Sequence, residues 1–300
     1  MSLMKWGTPL LVAVSCVPAQ SWAAPILGTP LSGFAVLGAS SVTNTGNTSL
    51  KGGLGVSNNT SLTGITGFLG TLAHDGPGTA TGTINQGGAI ALTANAQLST
   101  AMVSLGLLGP GIGLGVDLTG LTLAPGVYTV PAGTSNLTGT LTLDGGGNAN
   151  AYWVFQLPST LITSFGSTVN LINTGSGAGV YWDVGSSATL GSSSTFFGNI
   201  LASTSITMDS NVVLACGRAL AHTGGVSMIG DLVDAGDCTG TTAFGSKGLS
   251  GGLTMSENGG VAVPLPFAAT TPVPEPGPLS MYAAGLATLC MLRKRKTPGA

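Results

Sequence analysis

A winding column of short β-strands with one α-helix beside it, a mostly β solenoid, is the fold class that the sequence predicts. Three observations predict it. Apolar triplets with a hydroxyl residue at the centre recur: Leu141-Thr142-Leu143, Ala188-Thr189-Leu190, Ile206-Thr207-Met208 and Val226-Ser227-Met228, with Thr163 as a candidate for the same slot. A strand points neighbouring side chains to opposite faces, so each triplet sends its apolar pair inward and its hydroxyl outward. The triplets follow one another every coil of about 20 residues, the mark of stacked structural repeats. Composition agrees: charged residues are 6%, hydrophobic residues 43% and glycines number 50. That is a packed chain that turns often, and not a charged disordered one. Finally, the apolar period changes once, between Gln86 and Leu105.

In chain order, residues 1–23 read as a signal peptide, with Lys5, an apolar run from Leu10 to Val14, and the small-residue cleavage site Ser21-Trp22-Ala23. Gly33 to Ser57 reads as a first coil of strands, with Thr45-Gly46-Asn47-Thr48 as a corner. Asn58 to Thr83 is rich in Gly and Thr and reads as a loop or small cap. Ile90, Ala94, Leu98, Ala101 and Leu105 then mark one face of a helix over about 86–105, ended by Gly106 and docked on the column. Gly120 to Val130 returns to strand alternation, and the triplet region follows. The solenoid body is thus expected over 24–240. Residues 241–278 read as a Gly/Ser-rich and then Pro-rich linker. Residues 279–300 read as a short apolar segment closed by Arg293-Lys294-Arg295-Lys296.

Charge and cysteines narrow the function. Between the tails stand three basic residues, Lys51, Arg218 and Lys247, against nine acidic ones from Asp75 to Glu257. Nucleic-acid binding depends on neutralising phosphates, and this body cannot supply that. With Cys16 and Cys290 in the tails, an exported chain keeps Cys216 and Cys238, a pair expected to form a disulfide in an oxidising compartment. Two buried free thiols are the alternative. No metal spacing is present. Solenoid enzymes gather carboxylates with a base or metal in a cleft. The available groups are Asp144, Asp183, Asp209, Asp231, Asp234 and Asp237, with His74 beside Asp75, and His222. As solvated turn carboxylates, a surface loop and a core or edge histidine, they need no catalytic role.

The outer surface remains. Stacked coils repeat side chains about 4.8 Å apart, and alternate residues of a strand lie about 6.7 Å apart. Hydroxyls on such a grid can hydrogen-bond ordered water while the methyls between them favour water that cages itself, so the grid can template ice. A solenoid lined with Thr and Ser merely for β-propensity and solubility is the other reading.

From about Leu27 to Leu232 the chain resembles the microbial ice-binding (antifreeze) proteins. The segments that carry the resemblance include FAVLGASSVTNTGNTSLKGGLGVS, GTINQGGAIALTANAQLSTA, GLTLAPGVYTV and VYWDVGSSATLGSSSTFFGNILASTSIT followed by GRALA. The resemblance implies a discontinuous right-handed β-helix whose N-terminal coil stacks among C-terminal coils, a lateral helix, and one flat face that binds ice through loosely repeated Thr-Gly/Ala-x-Thr/Asn corners. It implies no enzyme activity and no cofactor. Carried onto this chain, the expected ice-binding residues are Thr45, Thr48, Thr163, Ser167, Thr168, Thr189, Ser192, Ser194, Thr195, Thr207 and Ser210. Thr45-Gly46-Asn47-Thr48 matches the motif well, whereas Ser192-Ser193-Ser194-Thr195 needs Ser for Thr and for Gly. The order Pro274-Glu275-Pro276, apolar segment, basic cluster resembles a PEP-type C-terminal sorting signal of Gram-negative bacteria. The expected partners are therefore an ice surface and the export and sorting machinery, with transient membrane contact through the tail, for a monomer outside the cell. A cell-surface or matrix adhesin that uses the solenoid as a stalk is the alternative, and a carbohydrate-active β-helix enzyme a third.

Overall fold

A computed structural model describes residues 24–236, 248–256 and 260–270. Its strands stack in parallel, coil upon coil, into two sheets of seven and fifteen strands. The larger sheet turns a corner because two of its strands, Thr195–Ala202 and Val213–Ala221, run round it. The bend falls at Gly198 (φ 99°) and Cys216 (φ 48°), and the strand register shifts between Phe197 and Asn199. A Cβ on Gly198 would meet the side chain of Val180 at 2.6 Å, so only glycine allows this close passage. The column therefore has three sides: the seven-stranded sheet and the two sides of the bent one.

Alternation builds the interior. The triplets point their apolar residues inward, where Leu141, Leu143, Ala188, Leu190, Ile206, Met208, Val226 and Met228 are buried. An aromatic stack continues along the axis through Tyr128, Phe155, Trp182 and Phe196, with ring centroids 5.7, 4.0 and 4.6 Å apart. Trp182 Nε1 donates to the Phe197 carbonyl at 2.9 Å, so the indole is buried without losing its hydrogen bond.

The helix α1, Gly88–Gly106, covers one side of the bent sheet. Its buried residues are Ala91, Ala94, Leu98, Ala101, Ser104 and Leu105, facing Leu37, Val154, Tyr181, Leu201 and Leu220. The expected stripe began at Ile90, which is instead 54% exposed. Spacings of three and four alternate from Ala91 and hold one face, whereas two steps of four from Ile90 drift off it. Gln97 ties the helix to the N-terminal segment: its amide oxygen accepts from the Leu31 N–H and its amide nitrogen donates to the Thr29 carbonyl.

Coil order is discontinuous. The N-terminal strands Phe34–Gly38, Val42–Thr45 and Ser49–Lys51 lie beside the last coil, pairing Val36 with Ala219, Thr43 with Ser227 and Leu50 with Val233. The stretch expected to be a loop or cap supplies two more rungs, Ile65–Thr66 and Thr79–Ala80. The chain then runs through Ile84–Gln86 and α1, and resumes at Ile112–Gly113 on the far edge of the bent sheet. Arg218, 3% exposed, fastens the seam. It donates to the carbonyls of Ser32, Ala235 and Gly248 and to Asn199 Oδ1. Burial lowers its pKa to about 10. Part of the expected linker forms an antiparallel hairpin, Leu253–Met255 with Ala262–Pro264. The expected signal peptide, Cys238, Pro274, Glu275, Pro276 and the basic tail lie outside the described residues.

Candidate functional site

The seven-stranded sheet is open to solvent and regular. Its outward residues stand in one unbroken register: Asn136, Ile162, Thr189, Thr207, Ser227, Thr43 and Thr66. One adjacent pair bonds across coils, Ser227 Oγ donating to Thr207 Oγ1 at 3.4 Å. A second column lies two residues earlier on each strand. Its backbone ladder runs from Leu161 N–H to Ser187 O, Ala188 N–H to Ser205 O, Ile206 N–H to Gly225 O and Val226 N–H to Ser41 O. Parallel pairing fixes both spacings, at about 4.8 Å between coils and about 6.7 Å along a strand. No charged residue interrupts the first column between Ile162 and Thr66. The triplet pattern produces this directly, because a buried apolar residue on each side of a Thr leaves the Thr only the outward direction.

Beside this sheet runs a corner made by stacked turns. Gly46, Gly166, Ser193, Asn211 and Gly230 all have left-handed backbone, with φ between 57° and 90°. Each follows an outward residue, in the order Phe165, Ser192, Ser210, Ile229 and Thr45 along the stack. This is the physical content of the Thr-Gly-x-Thr motif. Its second residue turns the chain through a conformation that glycine or asparagine adopts cheaply, so the first residue faces out. In Ser192-Ser193-Ser194-Thr195 the third residue then faces in and the fourth out, whereas Thr45-Gly46-Asn47-Thr48 spends one residue more and puts its last in the inward slot. Thr48 accordingly is 1% exposed and bonds Asn44 Oδ1 at 2.5 Å, while accepting from the Asp231 N–H at 3.0 Å. Asp231 accepts in turn from the Val212 and Ile229 N–H groups. Burial raises its pKa to about 6.

The expected site residues therefore divide. Thr189 and Thr207 lie on the seven-stranded sheet. Thr45, Ser192 and Ser210 line the corner, where Ser210 Oγ donates to Ser192 Oγ at 3.3 Å. Thr168 and Thr195 lie on the open side of the bent sheet, paired in register. Thr48, Thr163, Ser167 and Ser194 point inward and are buried, so they cannot meet an external surface. Thr163 Oγ1 instead accepts from the Gly191 N–H at 2.9 Å, and Ile162 takes the outward slot expected for it. Thr43, Thr66, Ser41, Ser187 and Ser205 were not among the expected residues, although Val42-Thr43 and Ile65-Thr66 carry half of the triplet signature.

Among the described residues the carboxylates do not converge. Asp183 sits under the helix in a cleft of about 290 Å³ with Thr129 and Gln156, its pKa raised to about 7 by burial. Asp234 pairs with Lys51 at 2.8 Å on the open side of the bent sheet. Asp144 accepts from the Gly146 N–H at 3.0 Å and from Asn173 at 2.8 Å, and these bonds lower its pKa. Among the described residues no group of three or more His, Cys, Asp or Glu could hold a metal ion. His74 accepts from the Gly70 N–H in its loop, and the His222 carbonyl accepts from Asn95.

A β-helix that presents a flat, hydroxyl-lined, nearly uncharged sheet, flanked by one lateral helix, is built to meet an extended surface. The Ice-binding-like family profile matches residues 36–234, and the chain belongs to that family. It is 44% identical over 221 residues to the ice-binding protein of Nostoc sp. (strain HG1), spanning 73% of this chain and 77% of that one. It is 30% identical over 205 residues to the ice-binding protein of Flavobacterium frigoris (strain PS1). Among solved structures, the ice-binding protein of the Antarctic ascomycete Antarctomyces psychrotrophicus superposes with a TM-score of 0.63 at 32% identity. That match covers 71% of this chain and 98% of the other. An ice-binding protein from an Antarctic biological consortium gives 0.62 at 36% identity, covering 73% and 95%.

Proposed function

We propose that this chain adsorbs to ice through its seven-stranded sheet, without catalysing a reaction, and so restrains ice growth and recrystallisation. The observation that carries the reading is the register Thr189–Thr207–Ser227–Thr43–Thr66, flanked by Ser187, Ser205 and Ser41. A rigid row of this kind loses little entropy on contact, and many weak water-mediated bonds act at once. The ice-binding relatives and structural neighbours support it. The test is partitioning of the purified body into a slowly growing ice hemisphere, with Thr207→Tyr beside it. Exclusion of the unaltered protein from the ice would sink the reading.

The reading extends to cell biology. Residues 1–23 export the chain, residues 24–240 act outside the cell of a Gram-negative bacterium as a monomer, and the tail from Pro274-Glu275-Pro276 sorts it. Mass analysis of protein recovered from the culture medium checks both ends, with the mature chain expected to begin at Ala24. A Cys216–Cys238 disulfide would close the last coil, and burial of Cys216 supports it. Maleimide labelling of the unfolded, unreduced protein should leave both cysteines unmodified.

A further inference from the structure

The open side of the bent sheet carries hydroxyls of its own, displaced along the column from those of the seven-stranded sheet. Thr140, Thr168 and Thr195 stack in register, and beside them Thr122, Thr142 and Asn170 form a second register. Thr122 and Thr140 are exposed; the other four are half-buried, as residues flanked by close neighbours on a flat sheet must be. Further along, the first column is interrupted by Val213 and Leu232 before hydroxyls return at Ser49 and Thr79, and the second, past Phe197, meets the Lys51–Asp234 ion pair. The hydroxyl patch thus occupies the coils nearest Thr122. On the seven-stranded sheet those same coils hold Asn136 and Ile162, and the Thr and Ser residues begin at Thr189.

The two patches meet in one coil. Thr189 faces out from the seven-stranded sheet, Ser192 from the corner and Thr195 from the bent sheet, all within seven residues of chain. Ser192 and Ser210 bond across coils at that corner. We infer that Thr122, Thr140, Thr142, Thr168, Asn170 and Thr195 form a second ice-contacting patch, set at an angle to the first, which lets one molecule adsorb to two families of ice planes. This rests on the reading of the seven-stranded sheet as the main contact. Two flat patches that share an edge cannot both lie on one crystal plane, so each selects its own orientation of the lattice.

The experiment adsorbs the fluorescently labelled protein to single-crystal ice hemispheres and maps the labelled planes. Thr140→Tyr and Thr168→Tyr probe the second patch, and Thr207→Tyr the first. Thr140 is exposed, so its substitution is compatible with folding, and an unchanged melting temperature confirms it for each variant. The unaltered protein should mark two sets of planes, and either variant of the second patch should lose one set while still entering ice. Identical plane maps for the unaltered protein, Thr140→Tyr and Thr168→Tyr would overturn the second patch alone. Unchanged labelling by Thr207→Tyr would overturn the reading beneath it, and the second patch with it.

Discussion

The seven-stranded sheet and the open side of the bent sheet are built from the same coils, yet only the first is regular. Every rung of the first passes its outward residue to the next without a shift, from Asn136 to Thr66. The second is broken at Phe197, where a strand leaves to round the bend, and again between Asp144 and Asn148. It also carries an ion pair whose lysine is 56% exposed. The bent sheet takes up the irregularities of coil length and geometry, which spares its neighbour. Regularity on one side of a solenoid is thus bought with irregularity on another.

Substitutions can break or sharpen that contrast. The largest effect is expected from Thr207→Tyr in the middle of the regular sheet. A bulky ring lifts the surface off the lattice over several rungs, and ice partitioning should fall by about tenfold or more, as at the centre of other interfaces. Next comes Thr48→Val at the corner that joins the two sides. It strands the Asp231 N–H and Asn44 Oδ1 in a buried site, at a cost of about 1–3 kcal/mol readable by urea denaturation. Activity should then fall on both sides together. Replacing Lys51 and Asp234 together by Thr removes the ion pair from the open side of the bent sheet. An exposed pair stabilises by at most about 1 kcal/mol, so folding should be nearly unchanged while ice adsorption rises modestly.

Asp183→Asn, under the helix and away from both open sides, should leave ice adsorption unchanged. Its effect belongs to the pH dependence of stability. Burial raises the folded pKa of Asp183 to about 7, above the ordinary 3.8 of an unfolded chain. The folded state therefore holds a proton that the unfolded state has released, and stability falls as pH rises from about 4 to about 7. Melting temperatures over that range should drop less steeply in the variant than in the unaltered protein.

The strands were legible in the sequence because burial on one face writes itself as alternation, and Ala188-Thr189-Leu190 or Ile206-Thr207-Met208 need nothing more. Which side a triplet joins was not. Leu141-Thr142-Leu143 has the same local pattern and lies on the bent sheet, because side assignment depends on the number of residues spent in the preceding corner. Thr163 shows the cost of one residue: Ile162 faces out in its place, since a single step reverses every side chain. The short strands Ile65–Thr66 and Thr79–Ala80 are two residues each, half a triplet at most, and exist through pairing with Val42–Thr45 and Ser49–Lys51. Thr43 beside Ser227 was equally invisible, because that contact joins residues far apart in the chain.

That junction has a consequence for how the molecule comes into being. A nascent chain emerging from the ribosome has Thr43 and Thr66 from the outset but lacks Ser227, which arrives nearly two hundred residues later. Until the final coil is made and slots against the first, the molecule holds two short fragments of its working surface in place of one long one. The long row is therefore complete only once the last coil is in place, and a product that stops before Ser227 keeps Thr189 and Thr207 apart from Thr43 and Thr66.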